Sequence, residues 1–326
     1  MAANNYVPSA LIVGFGAIGG FYGSLLARQG WNVDALCRSN ASVIREFGMQ
    51  IQSPSAGSWN FHPRHVFTSI PASGEYDFLL LTVKVLDHLD RAALIRPAVG
   101  ARTAIVLIEN GLYIEDPIVS AFPENAVISA LAFVCVTQPE PGIVEHQAYG
   151  RLVLGDYPGG IGPRTRTLQK AFQAGGIECS ITSNIIKARW GKCVWNSSFN
   201  PISVLAGGRD TRQIMNNREL RQLVIEVMQE ILLLAAADGN ELDERIIERN
   251  LTDTDHMPPY ATSMLNDYQH RRPMEVDAIL GTLIRFARAQ NLSVPRLETL
   301  YKLMLSINET MLTQSSRGYP DQASLE

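Results

Sequence analysis

Between Tyr6 and Arg28 the chain carries no charged residue, and the stretch ALIVGFGAIGGFYGSLLA (10–27) is its most constraining feature. A run so long and apolar invites reading as a membrane helix, with small residues spaced for helix contact at Gly16/Gly20 and Gly19/Gly23. Four glycines fall within residues 14–20, however, directly after a β-prone tripeptide. Each glycine costs a helix interior about 1 kcal/mol relative to alanine. The segment therefore reads as a buried strand, ALIVG, turning into a helix that Gly30 closes. No positive residue precedes the run, so a signal peptide is not expected.

Short apolar runs alternate with helical stretches from Ala10 to about Ser183. NVDALCR (32–38), YDFLLLTVK (76–84) and TAIVLIENG (103–111) suit strands covered on both faces. Further β-prone segments follow at AVISALAFVCV, GIVEHQ, RLVLGD and GIECSIT, whereas SPSAGSWN (53–60) looks like an insertion. Beyond Ser183 the pattern is helical, including a long amphipathic helix over 217–239. The expected fold class is α/β: an N-terminal Rossmann-like doubly wound domain over 1–184, with an antiparallel extension, and an all-helical C-terminal domain over 185–326. A buried intramolecular face and a homodimer contact both explain the pattern of 217–239.

Within the turn, GFGAIG (Gly14, Phe15, Gly16, Ala17, Ile18, Gly19) is G-x-G-x-x-G in the context its physics requires. Gly14 allows a tight turn, Gly16 lets a pyrophosphate approach the backbone, and Gly19 permits close packing of helix on strand. The helix N-terminus offers amide hydrogens and about half a positive charge to phosphates. At the second strand's tip stands Arg38 rather than an acid, and Asp34 is mid-strand and expected to point into the sheet. A guanidinium pairs bidentately with a 2′-phosphate, which favours NADP(H) over NAD.

Composition removes several function classes. The formal net charge is -4, with 46% hydrophobic and 18% charged residues, so there is no basic footprint for nucleic acid and none for an anionic membrane surface. The four cysteines, Cys37, Cys135, Cys179 and Cys193, are scattered and fit reduced, buried thiols of a cytoplasmic protein. His62 and His65 lack a third ligand nearby in sequence, so no metal site is expected.

In RWGKCVWNSSFNP (189–201), Lys192, Asn196 and Asn200 recur every four residues and share one helix face, with Pro201 expected to end or kink the helix behind them. By itself such a stripe reads first as an exposed polar face. It is joined, in chain order, by LTVK ending at Lys84, ENGL with Asn110, and SMLND…RRPMEVDAILG with Ser263 and Glu275. From about Ala10 to Met304, this sequence of motifs resembles the ketopantoate reductase (2-dehydropantoate 2-reductase) family.

The resemblance implies NADPH and a small 2-oxo acid meeting in a cleft between a Rossmann domain and a helical one, and reduction of ketopantoate to pantoate on the route to pantothenate and coenzyme A. It places the catalytic lysine at Lys192 and the active-site glutamate at Glu275. Substrate binding falls on Asn196, Asn200 and Ser263, and the cofactor-side lysine and asparagine on Lys84 and Asn110. Many members carry Gln before this Asn-Gly, whereas this chain has Glu109, a carboxylate expected to repel cofactor phosphates or an anionic substrate.

The chemistry suits these residue types. Hydride addition to a ketone leaves negative charge on oxygen, which a protonated lysine stabilises and then protonates. Amides donate and accept without adding charge. Ser263 also reads as a helix cap, and Asp267 with Arg271 as a helix-surface ion pair. A paralogous reductase of another 2-oxo acid, and a non-catalytic NADP-sensing protein, are the competing readings.

Overall fold

A computed structural model describes residues 6–71 and 75–316. The chain divides into two compact units, 1–188 and 189–326.

The first unit runs β1 (Ser9–Val13), α1 (Ala17–Arg28), β2 (Asn32–Leu36), α2 (Ala41–Phe47), β3 (Met49–Ser53), β4 (Gly57–Phe61), β5 (Val66–Phe67), β6 (Phe78–Leu81), α3 (Arg91–Ile95), β7 (Ala104–Leu107), α4 (Asp116–Ala121), β8 (Val127–Glu140), β9 (Ile143–Asp156), α5 (Pro163–Ala174) and β10 (Cys179–Ile181). The strands form one sheet in the order β4-β3-β9-β8-β7-β6-β1-β2-β5, with β10 added on β9. From β5 to β8 all neighbours are parallel, and β1, β6 and β7 are buried at every position but Ser9. Continuous apolar runs are what a strand covered on both faces needs. The uncharged stretch after Tyr6 is thus β1 followed by α1, and no described helix is long and apolar enough to cross a membrane.

The antiparallel extension is larger than the sequence indicated. GIVEHQ and RLVLGD fuse into the single strand β9, which pairs antiparallel with β8 through a ladder interrupted by register shifts. Such bulges let long strands bend without losing their pairing. SPSAGSWN supplies the turn and most of β4 in the β3–β4 hairpin, which pairs with β9 through β3.

Asp34 points into the sheet region as expected, 1% exposed. Its carboxylate accepts from Arg64 Nε and Nη2 at 3.0 and 2.8 Å and from Tyr76 Oη at 2.9 Å, with His65 Nδ1 at 3.1 Å. Burial by itself would raise its pKa, but the hydrogen bonds from Arg64 and Tyr76 and the charges of Arg64 and His65 outweigh it and hold the carboxyl below its usual value. His62, for its part, lies 3.1 Å from Asn60 Nδ2, and the four cysteines are buried and free of disulfides.

The second unit begins within α6 (Ile185–Leu205) and continues through α7 (Thr211–Met215), α8 (Arg218–Ala237), α9 (Arg245–His256), α10 (Ser263–Gln269), a π-helical turn (Asp277–Gly281), α11 (Thr282–Ala289) and α12 (Pro295–Ser316). Pro201 does not end α6, which runs on to Leu205. The proline removes one backbone donor, while the flanking turns gain hydroxyl bonds from Ser198 to Val194 O at 2.8 Å and from Ser203 to Asn200 O at 2.7 Å. Glu230 of α8 accepts from the first-turn amides of Arg296 and Leu297 at 3.0 and 2.9 Å, so one helix caps another. Asp277 ties elements together, accepting from Arg285 at 2.7 Å and Tyr301 at 2.9 Å. Asp267 pairs with Arg272 at 3.0 Å, while Arg271 takes a left-handed backbone, φ 53°.

Replacing Asp34 by Ala leaves the partners of a buried carboxylate unsatisfied and is expected to cost about 2–4 kcal/mol at neutral pH. Because the folded pKa is depressed, that stabilisation is present above the unfolded pKa and is lost as pH falls through the folded one. Denaturant titrations across the acid range should show wild type and Asp34→Ala converging at low pH; parallel curves would contradict the assignment.

Candidate functional site

The residues expected to hold a dinucleotide all follow carboxyl ends of adjacent parallel strands. Gly14 to Gly19 follow β1, Arg38 stands two residues beyond β2, Lys84 three beyond β6 and Asn110 three beyond β7. With β1 lying between β6 and β2, this is the edge at which strand order reverses, where ligands of open α/β sheets bind.

The glycines are required for different reasons. Gly14 has φ 96°, and a Cβ there would stand 2.8 Å from Val83 N. A Cβ at Gly19 would lie 2.5 Å from Gly14 O and 2.7 Å from Thr82 Oγ1, the hydroxyl that itself donates to Gly14 O at 2.7 Å. Gly16 is different, because its Cβ would meet only Gln138 Oε1, at an ordinary 3.8 Å. Packing within the protein does not demand glycine there, which leaves the close approach of a diphosphate as the reason expected from the motif. Gln138 Nε2 is buried without a hydrogen-bond partner among the described residues, a polar atom beside this opening that sequence reading missed. The Phe15 ring packs in the core, 5.8 Å from Phe61, and its N–H is taken by Leu36 O at 3.1 Å. The first-turn amides of Ala17, Ile18 and Gly19 have no acceptor within the helix. Positive helix end, open Gly16 and cationic Arg38 and Lys84 together fit an anionic dinucleotide.

In the helical unit, α6 carries the polar stripe. Trp190 is fully buried, donating Nε1–H to Asp238 at 2.7 Å, and Trp195 donates to Thr254 Oγ1 at 3.0 Å while stacking on Phe199. With the other faces so anchored, the stripe has a fixed orientation. Lys192 and Asn196 are partly exposed; Asn200 is 1% exposed, and neither amide atom has a hydrogen-bond partner among the described residues.

Burial lowers the Lys192 pKa most, and Arg189, itself 1% exposed and one turn earlier, lowers it further. Cys193 and Glu275 pull it back, leaving the ammonium at about 7. Glu275 stands two residues before the π-helical turn and acts on Lys192 through its charge. Arg189 was not singled out in the sequence; its i, i+3 spacing from Lys192 was the available signal. Ser263 is the exposed first residue of α10, and the cap is its neighbour Thr262, which accepts from Leu265 N at 3.2 Å. Thr262 shares a 2.7 Å hydrogen bond with Ser203, tying the start of α10 to α6 one turn past Asn200.

Residues 10–159 match the model of ketopantoate reductase PanE/ApbA, and residues 184–308 that of its C-terminal region. The chain belongs to the ketopantoate reductase family. It is similar to the crystal structure of 2-dehydropantoate 2-reductase from Methylococcus capsulatus, at 46% identity over 93% of this chain and 97% of that one, with a TM-score of 0.86. A 2-dehydropantoate 2-reductase from Nostoc sp. is 29% identical over 89% of this chain and 92% of its own. A ternary structure of D-mandelate dehydrogenase with NADH and anilino(oxo)acetate has a TM-score of 0.86 at 20% identity over 93% of this chain and 99% of that one, a likeness of fold. The chain is therefore an oxidoreductase of the ketopantoate reductase family, and the two-part architecture is the family's.

The Glu109 variation in this family member takes an unexpected form. Its side chain is fully buried and Oε2 accepts from Arg91 Nη1 at 2.5 Å. The carboxylate expected to repel a ligand is thus paired with a cation eighteen residues away, while its Oε1 is buried without a hydrogen bond among the described residues.

The contrast between glycines is open to direct test by thermal and denaturant unfolding. Gly19→Ala is expected to cost about 1–3 kcal/mol through overpacking. Gly16→Ala, at an N-cap with open space above it, should cost under about 1 kcal/mol. Equal losses would refute the distinction.

Proposed function

We propose that this protein reduces 2-dehydropantoate to pantoate with NADPH, in the supply of pantothenate and coenzyme A. The observation that carries the reading is the ammonium of Lys192, held at about 7 on an α6 stripe shared with Asn196 and Asn200 and within electrostatic reach of Glu275. A general acid works best with a pKa near the working pH, and burial with a cationic neighbour is how a protein brings a lysine there. Family membership over 10–159 and 184–308 and the 46% identity to a 2-dehydropantoate 2-reductase support the substrate class.

In this reading Gly14 to Gly19 receive the diphosphate, and Lys84 and Asn110 complete the cofactor side. Arg38 takes the 2′-phosphate; it is exposed beyond β2, while Asp34, the acid nearest that tip, is spent on Arg64 and Tyr76. The bound nicotinamide supplies a hydride to the C2 ketone. Lys192 stabilises the negative charge growing on the carbonyl oxygen and gives up its proton to it. Asn200, with both amide atoms buried and unmatched, provides a donor and an acceptor suited to a hydroxy-keto acid. Asn196 adds a second amide, and Ser263 a hydroxyl. Glu275 keeps Lys192 charged and orients it rather than meeting the substrate carboxylate, since two anions repel. A homodimer of such enzymes in the cytoplasm completes the picture.

Parallel assays of kcat/KM for ketopantoate and other 2-oxo acids with NADPH decide the substrate; a better acceptor than ketopantoate would replace it in this reading. Because the protonated lysine is the acid, kcat/KM should fall as pH rises through about 7. Lys192→Ala should lower it about 10²–10⁴-fold while nucleotide binding survives. Undiminished turnover would remove Lys192 from the mechanism. Arg38→Ala is expected to weaken NADPH about 10- to 100-fold and leave NADH nearly unchanged, as loss of a charge-assisted pair predicts; equal effects on the two nucleotides would argue against phosphate recognition.

A further inference from the structure

The loop 108–115 joins β7 to α4 and carries Asn110. Its backbone is not a relaxed one, since Gly111 has φ 116° and Tyr113, which has a side chain, φ 58°. The left-handed conformation disfavours a residue with a Cβ, so surrounding structure must hold it. One side chain reaches both ends of the loop. Arg91 donates from Nη1 to Glu109 Oε2 at 2.5 Å and from Nη2 to Ile114 O at 2.7 Å. Arg91 is 7% exposed and the Glu109 side chain fully buried, so the pair is shielded from water and screened little.

The guanidinium's own base is also fixed. Arg91 is the first residue of α3, whose N-cap Asp90 accepts from Ala93 N at 2.9 Å. Inside the loop, Leu112 and Ile114 are buried, so its apolar side chains are anchored as well. Asn110 is the residue next to Glu109, three beyond β7 on the edge where the parallel strands end.

Resting on the cofactor reading above, we propose that Arg91 is a positioning residue for the nucleotide: its fork across Glu109 and Ile114 presets Asn110, and its charge cancels the Glu109 carboxylate beside an anionic ligand. Two properties of arginine are needed at once. A planar fork spans two acceptors five residues apart in sequence, and a permanent charge offsets a permanent one. Lysine supplies the charge without the fork. With Gln at position 109 there would be no charge to cancel, so the device belongs to a chain that has Glu109.

The test measures NADPH dissociation constants by fluorescence titration, with steady-state KM and kcat, on the full-length protein. Arg91→Met removes this ion pair from a buried carboxylate and leaves the loop unclamped; Kd and KM for NADPH should rise about tenfold or more, with kcat at saturation changed much less. Arg91→Met with Glu109→Gln removes the stray charge and should bind at least about threefold more tightly than Arg91→Met alone. Arg91→Lys should fall between wild type and Arg91→Met, and serves if the methionine variant fails to fold. A lowered melting temperature with wild-type NADPH affinity would make Arg91 merely structural and overturn the proposal, as would a double variant no tighter than Arg91→Met. Should the wild-type protein itself fail to bind NADPH, the cofactor reading falls and takes the clamp with it; wild-type binding with unaltered variants sinks the clamp alone.

Discussion

Everything in the first unit is organised by one steric demand, the passage of the chain from β1 into α1 against β6. Gly14 takes a backbone angle closed to other residues while lying against Thr82 and Val83, and Gly19 touches Gly14 O across the turn. That contact lets α1 start immediately above the strand end, so its unsatisfied amides face the edge of the sheet. The same edge receives the residues that follow β2, β6 and β7. Side chains could be exchanged at many of these positions, but a Cβ at Gly14 or Gly19 would push the helix off the strand.

The second unit turns on charge rather than sterics. Two cations, Arg189 and Lys192, lie one turn apart on α6, Arg189 almost completely out of water. Burying like charges together is expensive, and the molecule answers by letting the lysine approach neutrality. Glu275 limits that shift. Tryptophans on the other faces of α6 hold the arrangement still by hydrogen bonds to Asp238 and Thr254.

Much was legible because the relevant physics is local. The glycine spacing gave the strand–turn–helix, and continuous apolar runs gave strands covered on both faces. Four-residue periodicity put Lys192, Asn196 and Asn200 on one stripe. What misled was equally specific. Pro201 suggested a helix that ends or kinks, yet α6 runs on to Leu205 with the proline inside it. A serine at a helix start suggested a cap, yet Thr262 holds that role. SPSAGSWN looked like an insertion, yet it folds back on β3, and β3 is itself held by β9 about ninety residues further along the chain.

The sequence by itself determined the order of elements, the phosphate-ready turn and the identity of the polar stripe, because each depends on residues within a few positions of one another. Only the tertiary structure decided which charges neutralise which. Glu109 read as a repelling carboxylate until the fold brought Arg91 against it, and Lys192, the acid expected from the sequence, has a neighbour in Arg189 that the sequence reading did not weigh and that lowers its proton affinity further. Electrostatic environment is set by neighbours in space and by the exclusion of water, and neither is written in the local order of residues.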